Sequence, residues 1–312
     1  MHILDPRQTA QALPYAALVS ALERATQELA SGAIRAPERQ VVPIDAASVL
    51  LGMPAIADDL SVTKLITVHA DNARHQLPAI QGEVVVFETH TGRRIALMDG
   101  PTVTGRRTAA MSMLGIRTLL PRTPQSALLI GTGAQAAAHA DALVEVFGVQ
   151  QFWIAARDLE RTQAFCRALS ERHPQAVASP LPARMLQEDL PRTDVVIALT
   201  TSRVAVIPEH IAADTLAIGV GAFKPDMVEF PPALLHARRI VVDDLDGAHH
   251  EAGDLIQAKV DWSRVVAISD VVGGKLAASD LANAGVLPVF KTVGQAAWDL
   301  AAARVMRATL GL

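Results

Sequence analysis

The stretch "SALLIGTGAQAAAHA", residues 126–140, sets Gly131 and Gly133 directly after a short apolar run and directly before an alanine-rich one. Ala136 takes the third place of a G-x-G-x-x-G/A pattern. In that pattern the first glycine permits a tight turn and the second lets a diphosphate approach the backbone. A small third residue lets a helix pack on the strand. The free N–H groups and positive dipole end of the helix then suit phosphates. Gly131, Thr132, Gly133, Ala134 and Gln135 are therefore the expected contacts of a dinucleotide, against the alternative of a strand-to-helix turn with no ligand. An acidic residue at the end of the second strand would hold a ribose 2′-hydroxyl and select NAD. This sequence has Ala155, Ala156 and Arg157 there, with Asp158 expected to cap the next helix. Arg157 either pairs with a 2′-phosphate as a planar fork donor or is a solvated surface arginine. NADP(H) is thus favoured and NAD(H) stays possible, with Ala156 and Arg157 as contacts. Thr200, Val220 and Gly221 complete the expected cofactor contacts.

A second group is basic. Lys64 precedes an apolar strand in "SVTKLITVHA", Arg106 and Arg107 open an Ala/Met/Leu helix in "TGRRTAAMSML", and Arg39 opens the strand "RQVVPI". Charge on an apolar element is costly unless paired or exposed. Each of these residues alone reads as a surface charge; together they suggest a pocket for an anion such as a substrate carboxylate. A third stretch, "AIGVGAFKPDMVEF" (217–230), ends a buried strand in Phe223, Lys224, Pro225, Asp226 and Glu229. Asp226 and Glu229 have the spacing of a capping box, and Gly219 and Gly221 are expected to leave room for a nicotinamide. The run "DDLDGAHHEAGD" (243–254) gathers acids and histidines. A metal site on one helix face and a strand end followed by a polar helix start both fit it, and no metal is expected.

These residues need elements to position them. Residues 14–31 place Leu18, Ala21, Leu22, Ala25 and Leu29 at helical spacing. "RQVVPI", "SVLLGMPAIA" and "TKLITVHA" read as strands, and "GEVVVFETHTGRRIALMDG" as a hairpin turning at Thr91-Gly92. After Pro124 strand and helix alternate, as in a parallel sheet covered on both faces. The segment from Phe290 onward reads as one alanine-rich helix that docks on the first third. The expected fold is α/β: a doubly wound Rossmann-type sheet (121–285) inserted into an α+β substrate-binding and dimerisation domain (1–120, rejoined by 286–312). The 312 residues are half apolar and 19% charged, with a net charge of −4. That excludes a basic nucleic-acid groove or polybasic membrane patch. No apolar run approaches the ~20 residues that span a bilayer. The start "MHILDPRQTA" lacks the pattern of a secretory leader and Cys166 has no disulfide partner, so a cytoplasmic location is expected.

Taken together, "TKLITVHADN", "LPAIQGEVVVFETHTGRRIALMDGPTVTGRRTAA", "LLIGTGAQAAAHADAL", "VGAFKPDMVEF", "IVVDD", "EAGDL" and "FKTVGQAAWDLAAA" resemble the ornithine cyclodeaminase/mu-crystallin family over nearly the whole chain. The resemblance implies a homodimer that binds NAD(H) or NADP(H) and acts on small amino or imino acids. The family's substrate lysine falls on Lys64, and its carboxylate-binding arginines on Arg107 and Arg39. Cyclodeaminases carry an aspartate two residues before the proline of the third stretch; here that place is Phe223, which resembles the mu-crystallin branch and is expected to line the substrate pocket. The preferred expectation is therefore a ketimine reductase of Δ1-pyrroline-2-carboxylate or Δ1-piperideine-2-carboxylate type. The alternatives are an ornithine cyclodeaminase and a low-turnover ligand-binding protein.

Overall fold

The computed structural model describes residues 1–312 apart from 47, 70, 189 and 284 and the side chain of residue 73. It divides into two compact units, Met1–Ala110 with Gln295–Leu312, and Met111–Gly294. The first begins with β1 (His2–Leu4), α1 (Pro6–Ala12) and α2 (Tyr15–Ala30), followed by strands β2 (Gln40–Pro43), β3 (Ser48–Ile56), β4 (Leu60–His69), β5 (Ile80–Glu88) and β6 (Arg94–Asp99). Its six-stranded sheet runs β1-β6-β5-β4-β3-β2. The pairs from β2 to β6 are antiparallel, and β1 joins β6 in parallel. Side chains alternate between the faces of a strand, so Leu60, Val62, Lys64 and Ile66 of β4 are buried while Leu65 between them is 51% exposed. Helix α3 (Gly100–Leu119) starts directly at the end of β6, where the Asp99 carboxylate accepts the Thr102 N–H at 2.8 Å. Arg106 and Arg107 therefore lie about two turns into the helix rather than at its start.

The second unit carries β7 (Ser126–Ile130), α4 (Ala134–Phe147), β8 (Gln151–Ala156), α5 (Leu159–Arg172), β9 (Val177–Pro182), α6 (Met185–Glu188), β10 (Val195–Ala198) and β11 (Leu216–Gly219). It continues through α7 (Pro232–Ala237), β12 (Ile240–Val242), α8 (Leu245–Glu251), α9 (Gly253–Ala258), β13 (Val265–Ala267), α10 (Ile268–Val272), α11 (Ala278–Leu281) and β14 (Val289–Lys291). The eight strands run β13-β12-β14-β11-β10-β7-β8-β9, all pairs parallel. Every residue of β10, β11 and β12 is buried, as in a sheet covered on both faces. The order reverses at β7, between β8 and β10, the switch point beside which ligands of open α/β sheets bind. The doubly wound α/β reading of the sequence holds.

Two expectations are corrected. The segment from Phe290 is not one helix: Val289–Lys291 is a central strand paired with both β11 and β12. Helix α12 begins only at Ala296, runs to Leu310, and is capped by the side chain of Gln295. Asp226 and Glu229 form no capping box, because the chain from Gly221 to Phe230 makes turns and an isolated bridge instead of a helix; Asp226 meets Arg203 at 2.9 Å. Helix α12 belongs to the first unit. Its alanines from Ala296 to Ala303 are buried, and Arg304 grips Asp59 with Nε at 3.1 Å and Nη2 at 2.8 Å. Arg304 also bonds Glu28 on α2, and Arg307 meets Asp59 at 3.0 Å.

Candidate active site

Lys64 sits at an inward position of β4, a strand whose other inward residues are aliphatic. A buried ammonium needs a partner, and α12 supplies it. Asp299, fully buried in the first turn of that helix, lies 2.9 Å from Lys64 Nζ through Oδ2 and 3.2 Å through Oδ1. The same Oδ1 accepts Arg107 Nε at 3.3 Å. One carboxylate thus joins two cations that are 1% and 5% exposed. Burial pushes the Lys64 ammonium down to about 7; Asp299 opposes the shift, and the charges of Arg107 and, more weakly, Arg39 add to it. Arg39 is only half-buried. Arg106, next to Arg107, does something else: its Nε donates to the Leu13 carbonyl at 2.8 Å and its guanidinium stacks 3.8 Å from the Tyr15 ring centre. The sequence reading brought Lys64, Arg107 and Arg39 forward and missed Asp299. A signal for it existed: a lone acid in "AAWDLAAA" is as anomalous on its apolar helix as Lys64 is on its strand.

In the second unit the glycine turn has the shape its pattern requires. Gly131 has φ +128°, and a Cβ there would come within 2.7 Å of the Leu199 carbonyl. A Cβ on Gly133 would meet nothing within 4 Å, so the backbone is open where a diphosphate would approach. Gly133 is also the N-cap of α4 and makes no side-chain cap bond, leaving the first N–H groups of a 14-residue helix to other acceptors. Ala136 is fully buried. Thr132 and Gln135 are half-buried and Ala134 is exposed. At the end of β8, Ala156 is half-buried and Arg157 exposed, and Asp158 accepts the Arg161 N–H at 3.1 Å as the cap of α5.

Thr200 follows β10, and Val220 and Gly221 follow β11; all three are held by one residue, Glu229. The glycines of this stretch serve packing: a Cβ on Gly219 would strike the Phe230 ring at 2.4 Å, and one on Gly221 the Thr200 carbonyl at 1.8 Å. At both positions the side-chain direction is taken up by protein. Phe223 is half-buried, with Lys224 Nζ 5.9 Å from its ring centre. The acids of 243–254 work separately. Asp243 accepts the Thr292 hydroxyl at 2.6 Å and the N–H groups of Val293 and Gly294 at 2.9 and 3.0 Å. Asp254 meets Lys291 at 3.1 Å. Among the described residues no three His, Cys, Asp or Glu side chains converge as metal ligands. Ser112 Oγ lies 2.9 Å from His139 Nε2, the spacing of a nucleophile and its base, but both are fully buried and His139 Nδ1 donates to the Gln135 carbonyl. Burial pushes that imidazole down to about 4, so it is a neutral core histidine.

The family model described as ornithine cyclodeaminase/mu-crystallin matches residues 3–310. The chain belongs to the ornithine cyclodeaminase/mu-crystallin family. Among curated members, the Delta(1)-pyrroline-2-carboxylate/Delta(1)-piperideine-2-carboxylate reductase of Azospirillum brasilense is 44% identical over 308 residues, 99% of this chain and 96% of that one. Delta(1)-pyrroline-2-carboxylate reductase 2 of Burkholderia ambifaria is 44% identical over 98% of this chain and 95% of its own. Among solved structures, the Thermococcus litoralis Delta(1)-pyrroline-2-carboxylate reductase, in complex with NADH and L-proline, superposes with a TM-score of 0.89 at 21% identity. The match covers 99% of this chain and 97% of that one. At that identity the likeness speaks for the shared fold.

Proposed function

We propose that this family member is an NAD(P)H-dependent reductase of small cyclic imino acids of the Δ1-pyrroline-2-carboxylate or Δ1-piperideine-2-carboxylate kind. The observation that carries the reading is the buried Lys64–Asp299–Arg107 cluster, which pairs a proton donor poised near neutrality with a guanidinium. The 44% identical reductases support the substrate class. Arg107, its Nε turned to Asp299, offers its terminal nitrogens to the substrate carboxylate as a fork, with Arg39 assisting. Lys64 gives the imine nitrogen its proton, and Asp299 keeps both cations in place. Phe223 stands in the second unit at the place where cyclodeaminases carry a carboxylate, which suits a reaction needing one hydride and one proton better than one that expels ammonia and closes a ring. The open backbone at Gly133, the uncapped start of α4 and the turn at Gly131 fit a dinucleotide diphosphate, with Thr132, Ala134 and Gln135 around it. When bound, a reduced nicotinamide supplies the hydride to the imine carbon. Thr200, Val220 and Gly221 support that end of the cofactor, and Ala156 and Arg157 the adenosine ribose, Arg157 favouring NADPH over NADH.

We further propose a cytoplasmic homodimer. The exposed apolar side chains Val41, Val42 and Ile44 on and beside edge strand β2, and Leu65 on β4, support an interface on the first unit. The deciding experiment is steady-state oxidation of NADPH and NADH with each cyclic imine. Imine-dependent oxidation is expected with both substrates, faster with NADPH. Failure of either imine to drive oxidation, with ammonia and proline released from ornithine instead, would make the protein a cyclodeaminase.

A further inference from the structure

We propose that Glu229 is a positioning residue for the nicotinamide half of the cofactor, a buried carboxylate that locks together the two loops on which that ring rests. The inference builds on the reading above that this edge of the sheet takes a nicotinamide dinucleotide. Glu229 is fully buried. Its Oε1 accepts the Thr200 N–H at 2.7 Å and the Thr200 hydroxyl at 3.0 Å. Its Oε2 accepts three successive N–H groups, those of Val220, Gly221 and Ala222, at 3.0, 2.7 and 3.1 Å. Successive backbone N–H groups in a turn form a concave site for an anion; here the protein fills that site with its own side chain. One carboxylate thus ties the residues after β10 to those after β11, two strands whose ends pair Ala198 with Gly219. The tie is close, because Gly221 lies against the Thr200 peptide with no space for a Cβ.

Glu229 is itself held on its far side. The N–H groups of Glu229 and Phe230 both donate to Asp254 Oδ1, the latter at 3.0 Å. Asp254 pairs with Lys291, also fully buried, at the end of central strand β14. Gly253 lets α9 approach, since a Cβ there would lie 2.2 Å from the Met227 carbonyl and 2.4 Å from that of Lys224. Burial pushes the Glu229 carboxyl upward, while Lys291 and the N–H donors pull against it. The apolar sheet core lies beneath this network, so its cost is incurred to fix loop geometry at a functional edge. Hydride transfer is steeply sensitive to such geometry: a displacement of about 1 Å can cost 10²-fold in rate. The diphosphate turn has a tie of its own, the Gly131 N–H on the Ala155 carbonyl at 2.8 Å. It touches the Glu229 network only by packing against the Leu199 carbonyl, whereas the hydrogen bonds of Glu229 go to the residues after β10 and β11.

That separation gives the test. Glu229→Gln places an amide NH2 against backbone donors at one of the two oxygen positions. The expected result is a 10-fold or greater rise in the Kd for NADPH and NADH with the Kd for 2′-phospho-ADP-ribose and ADP-ribose within twofold of wild type. A larger primary isotope effect with cofactor deuterated at the transferred position should accompany it. Equal weakening of the full and nicotinamide-free ligands, or no change in either, overturns the proposal. If Glu229→Gln does not fold, Glu229→Asp, which keeps the charge but shortens its reach to the Thr200 and Val220 N–H groups, decides by the same comparison. A wild-type protein that binds none of these ligands sinks the cofactor reading itself, whereas one that binds them all and is indifferent to both substitutions sinks only the role of Glu229.

Discussion

Lys64 stands where the alternation of β4 otherwise sets Leu, Val and Ile facing the core, and its titration follows from that position. With the ammonium lowered to about 7, kcat/KM for imine reduction should fall as pH rises through that value, because the donor loses its proton. Lys64→Met should lower kcat/KM by about 10²–10⁴-fold and abolish that limb of the profile. The same shift enters stability with a definite sign. An unfolded lysine titrates near ~10.4, so between about 7 and ~10 the unfolded chain binds more protons than the folded one. Stability then rises with pH across that window; urea midpoints at pH 7 and pH 9.5 should differ more for wild type than for Lys64→Met. Asp299 opposes the lowering of Lys64. Asp299→Ala should therefore move the kinetic limb to lower pH, and leaving two buried cations unpaired should cost about 3–5 kcal/mol in a denaturant titration. An unmoved limb would show that Lys64 is not the titrating donor.

At the scale of elements, β8 ends where cofactor preference is expected to be set. Arg157→Ser should raise KM for NADPH several-fold and leave that for NADH nearly unchanged; parallel changes would make Arg157 a bystander. The elements most legible in the sequence are those whose pattern is complete within a short window. The glycine turn between β7 and α4, the all-buried β10 and β11, the alternating β4 and the hairpin of β5 and β6 all announce themselves this way. Others depend on partners far along the chain. Val289–Lys291 is only three residues long and runs toward an alanine-rich stretch, so helical periodicity absorbs it. Its strand character comes from β11 and β12 on either side. Strand β9 holds Pro180 and Pro182, tolerated because it lies at the sheet edge. Capping patterns show the same limit. Asp5 and Gln8 form a true capping box ahead of α1, whereas the like-spaced Asp226 and Glu229 do not, because Glu229 is drawn inward by N–H donors after β10 and at the start of its own loop. The candidate site divides likewise: Lys64, Arg107 and the glycines were legible as anomalies of type, while Asp299 becomes visible only once α12 lies on β4.

At the scale of the whole molecule, an exposed apolar edge is a liability unless it is covered. Sedimentation should give a mass close to twice the 33.1 kDa of the chain, and Val42→Asp combined with Leu65→Glu should yield monomers; a monomeric wild type would refute the dimer. Cys166 is buried and its thiol is pushed up to about 11, so alkylating reagents should leave native protein unmodified. The pairing of Lys64 with Asp299 reaches beyond equilibrium. The two are separated by 235 positions, and a polypeptide leaves the ribosome N-terminus first. While those positions are synthesised, β4 carries its lysine without Asp299, and the first unit lacks the helix that supplies it. Termination just before that helix would therefore leave the second unit, Met111–Gly294, with every strand of its sheet and its glycine turn, and the first unit without the carboxylate that its lysine needs.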